Sequence, residues 1–218
     1  MFDRVELTQA QASELLGDPH PLVARIGAPP APGSLDLGSC PVAGRVVDHA
    51  SLCQFLHSYQ QRILGPVELP AIHAAWGHAS RGERRELIEL DHRLGMEPVL
   101  QDFAAASRAV GRSQLRRLRP LRDQRLVRRY SEAVESGKAH GWHVLVFGVV
   151  LGVYSVPLRQ GLLHYARHTL NGFIESAAGP LQLTAEDCQR TLAEVSDPLP
   201  AAVETVLSQG QRLPLLVC

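Results

Sequence analysis

The stretch Trp142 to Val156, WHVLVFGVVLGVYSV, holds no Asp, Glu, Lys or Arg. A helix needs about 20 apolar residues to cross a bilayer, so this run is too short to span one and reads as a helix buried inside a protein. Pro157 then opens an amphipathic segment that ends at Gly179-Pro180. In it Leu158, Leu162, Leu163, Ala166, Leu170, Phe173 and Ile174 recur at helical spacing and make one apolar stripe. A helix apolar on every side must be wrapped by others, so the pair demands an all-α core.

The rest of the chain supplies the wrapping helices. From Asp48, Leu52, Phe55, Leu56, Tyr59 and Ile63 fall on one helix face, and Gly65-Pro66 is expected to stop that helix. Further helices are expected from about Glu68 to Ser80, Glu83 to Leu94, Glu97 to Leu118, Asp123 to Ser136 and His140 to Tyr154. Thr184, followed by Glu186 and Asp187 in a first turn, begins another, and Pro198 and Pro200 start the last, to about Leu207. Near the beginning, Thr8 caps a short helix to Leu16. Gly27 to Gly44 carries too many prolines and glycines for a regular element and reads as an arm. No strand alternation of useful length occurs. The expected fold is all-α, a single-domain bundle of roughly eight to ten helices.

Composition narrows function mainly by exclusion. Lys plus Arg and Asp plus Glu are equal at 22 each, so no global field favours nucleic acid or an acidic membrane. Cys40, Cys53, Cys188 and Cys218 show neither C-x-x-C pairing nor zinc spacing. The opening MFDRVELTQ has no basic segment leading into an apolar one, so a reducing, cytoplasmic setting with free thiols is expected. A G-x-S-x-G elbow, a Walker loop, a Rossmann fingerprint and H-E-x-x-H are all missing from the sequence. Nothing argues for a catalyst or a bound cofactor.

Two constellations remain. Between Arg108 and Arg129 lie nine arginines and one acid, Asp123, and Arg108, Arg112, Arg116 and Arg119 fall on one side of a helix. They form either a surface for an acidic or phosphorylated partner, or a solvated face paired with acids such as Glu83, Glu86 and Glu89. The histidine pairs His140/His143 and His164/His168 have the spacing to share a helix face, and imidazoles so placed bind nickel, copper or zinc. No third ligand follows from spacing, so they make weak metal candidates, suited to a transient nickel contact at most.

Several segments together resemble the UreF family of urease accessory proteins. The family's Gly-His-like start and P-V-V-F-G-like run correspond to His140-Gly141-Trp142-His143-Val144-Leu145-Val146-Phe147-Gly148. Leu151-Gly152, the A-Y-L-Y-like element Leu163-His164-Tyr165-Ala166, and Pro180-Leu181-Gln182 with Gln189 follow in order. Upstream, Ala105-Ala106-Ser107 with Gly111 and Leu115 looks like its A-S-x-x-x-G-x-x-L-L helix, and Gly44-Arg45-Val46-Val47-Asp48 like its first helix start. The likeness covers about Gly44 to Leu192. The family's glycine- and aromatic-rich signature before the first long helix is replaced by Pro29 to Pro41.

The resemblance implies residues 1–44 as an N-terminal short helix and arm and 45–218 as an all-helical UreF-like domain. It implies a non-catalytic homodimer that bridges the urease accessory GTPase (UreG type) and the accessory scaffold (UreD/UreH type), for GTP-dependent nickel delivery to apo-urease. Arg108, Arg112, Arg116, Arg119 and Tyr165 become expected partner-binding residues, together with Leu213, Leu215 and Leu216 of the apolar tail. A generic helical module whose arginine face takes an acidic or phosphorylated partner is the alternative. A small metal-dependent enzyme built on the four histidines is a third reading.

Overall fold

A computed structural model describes residues 17–26, 46–118 and 125–209. The expected helix from Thr8, the Gly27–Gly44 arm, Arg119 and the tail with Leu213, Leu215 and Leu216 lie outside the described residues.

Among the described residues every regular element is helical. In chain order these are a 3-10 turn (Val23–Arg25), α1 (His49–Tyr59), a π-helical stretch (Gln60–Glu68), α2 (Leu69–Arg81), α3 (Arg84–Leu94), a second 3-10 turn (Pro98–Phe103) and α4 (Ala104–Arg117). Then come α5 (Arg125–Glu135), α6 (His143–Val153), α7 (Leu158–Ala178), α8 (Ala185–Ser196) and α9 (Leu199–Gln209). Local chemistry sets several starts. Asp48 and Ser51 cap α1 reciprocally, Thr184 and Asp187 do the same for α8, and Pro157 sits at the N-cap of α7.

The break expected at Gly65-Pro66 does not occur. The chain passes from α1 to α2 as one continuous helical rod, so there are fewer independent rods than the sequence predicts. A proline inside an α-helix lacks the N–H for the i−4 bond and clashes with that carbonyl. The π turns replace the i−4 bonding register around Pro66, and Leu69 N–H reaches back five residues to Leu64 O.

α6 is the axis of the molecule, buried from His143 through Leu151. α2 crosses it at close range because α6 presents glycine there. A Cβ on Gly148 would lie 2.6 Å from Ile72 O and 2.7 Å from Ala75 Cβ, and one on Gly152 would lie 2.8 Å from Ala79 Cβ. α4 packs on the start of α6, α7 lies against α2 and α1, and α8 and α9 cover α7. α3 rests on α2, and α5 rests on α3 and α4.

Candidate functional site

The crossing of α4, α6, α7 and the π turns encloses a polar node. Glu68, the last π residue, is fully buried, and its carboxylate receives three donors. His20 Nε2 lies 2.8 Å from Oε1, Tyr165 Oη donates to Oε2 at 3.0 Å, and Tyr59 Oη donates to Oε2 as well. His143 extends the chain, with Nε2 3.0 Å from Tyr165 Oη and Nδ1 2.7 Å from Ser107 Oγ.

Donor bookkeeping fixes the protons. Leu22 N–H points at His20 Nδ1 at 3.1 Å, so that nitrogen accepts and the ring proton sits on Nε2, aimed at Glu68. Tyr165 spends its proton on Glu68, so its oxygen accepts from His143 Nε2–H, and Ser107 O–H donates to His143 Nδ1. Burial pushes the Glu68 carboxyl upward, but the His20 imidazole and the Tyr59 hydroxyl outweigh it, and the group falls below the usual carboxylate range. Burial, with His20 nearby, lowers His143 to about 3, so the ring is neutral at pH 7. Burial and the Glu68 charge push Tyr59 and Tyr165 well above their ordinary value, which keeps both as donors.

His20, Glu68 and His143 bring ligand atoms within 4.8 Å of one another, so a 2-His-1-carboxylate metal centre is the obvious question. The donor set does not fit one. A ligating histidine keeps a proton on its other nitrogen and gives it to an acceptor. His20 Nδ1 instead faces the Leu22 N–H donor, so ligation through Nε2 would require a ring stripped of both protons. The node is a closed hydrogen-bond network around one buried negative charge. It fastens the segment bearing His20 to the bundle.

A second buried acid organises the turn into α6. Asp91 accepts from Tyr130 Oη at 2.7 Å, His140 N at 2.6 Å and Gly141 N at 2.9 Å. Gly141 adopts φ +73°, and its carbonyl presses on Gly111 of α4, where an added Cβ would lie 2.1 Å from it. The Gly-His-like start and the A-S-x-x-x-G helix are therefore two sides of one contact.

The surface differs from the expectations in particular ways. Arg112 and Arg116 are exposed and flank a cleft between α4 and α5 of about 390 Å³, lined also by Leu115, Ser131, Val134, Glu135 and Gly137. Arg108 is half-buried and stacks over Trp142 at 4.9 Å, which makes it part of the packing beneath the face. Glu83 and Glu89 pair with Arg81 and Arg85, and the neighbouring Arg117 pairs with Asp18. Tyr165, expected at a docking surface, is corrected to the core, because its hydroxyl is consumed by Glu68 and His143. His140 and His143 do not share a face either, since α6 begins only at His143. His143 turns into the core, and the His140 ring lies 5.8 Å from that of His92. His164 and His168 do share one, with stacked rings 5.7 Å apart. Burial and the neighbouring His168 lower His164. His20 and Glu68 escaped sequence reasoning because no local pattern marks either, and the π register that turns Glu68 inward is not written in periodicity.

Comparison with known proteins agrees with this frame. The family model described as UreF matches residues 46–196. A relative from Bacillus sp. (strain TB-90), the urease accessory protein UreF, is 22% identical over 161 residues, covering 74% of this chain and 71% of its own.

Proposed function

This chain belongs to the UreF family, and on that premise we propose that it is a non-catalytic accessory factor in urease maturation. In this reading it bridges the accessory GTPase (UreG type) and the scaffold (UreD/UreH type), so that nickel, as cargo, reaches apo-urease in a GTP-dependent step. It works as a cytoplasmic homodimer. The observation that carries the reading is the family match over residues 46–196, which spans the helical frame from the start of α1 through α8.

The chemistry of the chain supports a binding role. The buried acid, imidazole and hydroxyl groups of the Glu68 node saturate one another and leave no free nucleophile or base. What is offered outward is charge, from Arg112 and Arg116 beside a cleft of about 390 Å³. Guanidinium forks there would take carboxylates of a partner bidentately, and such contacts fix register and speed association. The apolar tail Leu213–Cys218 serves partner or dimer contact.

Co-expression with the GTPase and scaffold tests the reading. The three proteins should co-purify, and a strain lacking this chain should make inactive urease until the chain is restored. Full urease activation without it would overturn the function. The double reversal Arg112→Glu/Arg116→Glu should reduce recovered complex at least tenfold with unchanged helicity, and undiminished complex would remove the arginine face from the proposal.

A further inference from the structure

A different basic cleft lies across the molecule's α3–α5 seam. It measures about 400 Å³ and is lined by Gly82, Arg84, Arg125, Leu126 and Arg129. Arg84 is the first residue of α3 and Arg125 the first of α5, and Arg129 follows one turn along α5 on the same side. The two helices are locked together by the Tyr130–Asp91 hydrogen bond of 2.7 Å, so the three guanidinium groups ride on a fixed frame. Leu126 is buried beneath them as the floor.

Two of the three charges in this cleft have no ion-pair partner among the described residues. Several surface arginines find acids: Arg85 with Glu89, Arg117 with Asp18, Arg159 with Glu204, Arg190 with Asp187. Arg84 and Arg125 make no such pair among the described residues, and Arg129 reaches only Glu132, at 3.5 Å. The acid next to Arg84 in the chain is already committed. Glu83 takes two hydrogen bonds from Arg81, at 2.8 and 2.7 Å, and lies 2.8 Å from His78 Nδ1. Those partners hold its carboxyl down at about 2. The first turn of α3 has no side-chain cap, and Glu83 at its N-cap and Glu86 within it set carboxylates against the positive helix end, so the charge of the cleft rests on its arginines.

Three arginines held beside one another repel, and a multiply charged anion relieves that repulsion. A carboxylate satisfies one fork, whereas a diphosphate offers oxygens to all three and about as many negative charges as there are arginines. The cleft is concave and compact, which fits a small oligophosphate better than an extended acidic peptide. Among the described residues its lining holds no aromatic side chain on which a base could stack. We propose that Arg84, Arg125 and Arg129 form a binding site for a diphosphate or triphosphate group, recognised through its phosphates and not through an attached base. This proposal is independent of the partner-bridging reading, which uses the α4–α5 cleft.

Isothermal titration calorimetry of the full chain at low salt tests it, with pyrophosphate as the first probe and ADP and hexaglutamate as the others. Pyrophosphate should bind one per chain. Each of Arg84→Gln, Arg125→Gln and Arg129→Gln should weaken it about tenfold or more, at unchanged helicity, while Arg159→Gln leaves it unaltered. Equal affinity for ADP supports recognition of any diphosphate carrier, and loss of binding with ADP supports a free oligophosphate as the natural source. Three results would overturn the site: no saturable pyrophosphate binding at millimolar concentration, affinity indifferent to the three substitutions, or hexaglutamate binding more tightly than pyrophosphate.

Discussion

Adding one methyl group at Gly111 asks how rigid the contact between α4 and the turn before α6 is. The new Cβ would lie 2.1 Å from Gly141 O and 3.0 Å from His143 N, both backbone atoms. A carbon and a carbonyl oxygen ordinarily rest at about 3.3 Å or more, so the turn must retreat by roughly 1 Å. It is poorly placed to do so, because Gly141 N and His140 N are both held by Asp91, at 2.9 and 2.6 Å. Overpacking costs about 1–3 kcal/mol, and loosening hydrogen bonds to a buried carboxylate about 1.5–3 kcal/mol more. Alanine returns about 1 kcal/mol of helix propensity. Gly111→Ala should therefore lose about 3 kcal/mol, or roughly 6–12 °C in Tm for a chain of this size. Gly172, inside α7, is the internal control. There the added Cβ would meet only Val23 Cγ2 at 3.5 Å, an ordinary contact, so Gly172→Ala keeps the propensity gain and should melt about 2–4 °C higher. Calorimetric melting of the two variants beside the parent decides the matter. A Gly111→Ala protein as stable as the parent, or a Gly172→Ala protein equally damaged, would refute the close-contact argument.

Tyr165→Phe removes one of the three donors to Glu68 and orphans His143 Nε2–H in the core, so urea unfolding should show a loss of about 3 kcal/mol. A change under about 0.5 kcal/mol would mean the network is not formed. His143 also predicts a pH dependence. Its folded value of about 3 lies below the ordinary 6.5, so between those values the unfolded chain binds a proton that the folded chain does not, and stability falls as pH drops through that window. The slope from this group is about 1.4 kcal/mol per pH unit. Glu68, whose carboxyl is lowered in the fold, adds a loss of the same sign only below its ordinary value of 4.5. Urea titrations at pH 7 and pH 5 should thus show the parent weakening more steeply than His143→Gln. Parallel curves would count against a buried neutral imidazole.

Much of the frame could be read before any coordinates. The apolar run at Trp142 to Val156 demanded a buried central helix, and α6 occupies that place because a segment apolar all round has no face to give to water. The helix starts at Asp48 and Thr184 and the proline start of α7 were legible for the same local reason, since side chain and backbone of neighbouring residues settle them. Pro66 misled because its penalty depends on helix type, and the π turns that absorb it are chosen by the packing of the whole rod. The histidines misled in a similar way. Spacing can put two rings on one face, as at His164 and His168, but the true start of α6 is set by Asp91, distant in sequence, and it separates His140 from His143.

By itself, the sequence determined the class of fold, the central helix and the family likeness carried by small motifs, because periodicity and helix starts act over a few residues. Only the tertiary structure decided what those motifs hold together. It brought His20 to Glu68 across 48 residues and Ser107 to His143 across 36, and it drew Tyr165 inward. It left Arg112 and Arg116 beside one cleft and Arg84, Arg125 and Arg129 around another. A buried charge must find its donors wherever the chain can deliver them, and an exposed one is free only where no acid comes near. Both conditions are properties of the folded arrangement, and no stretch of sequence contains them.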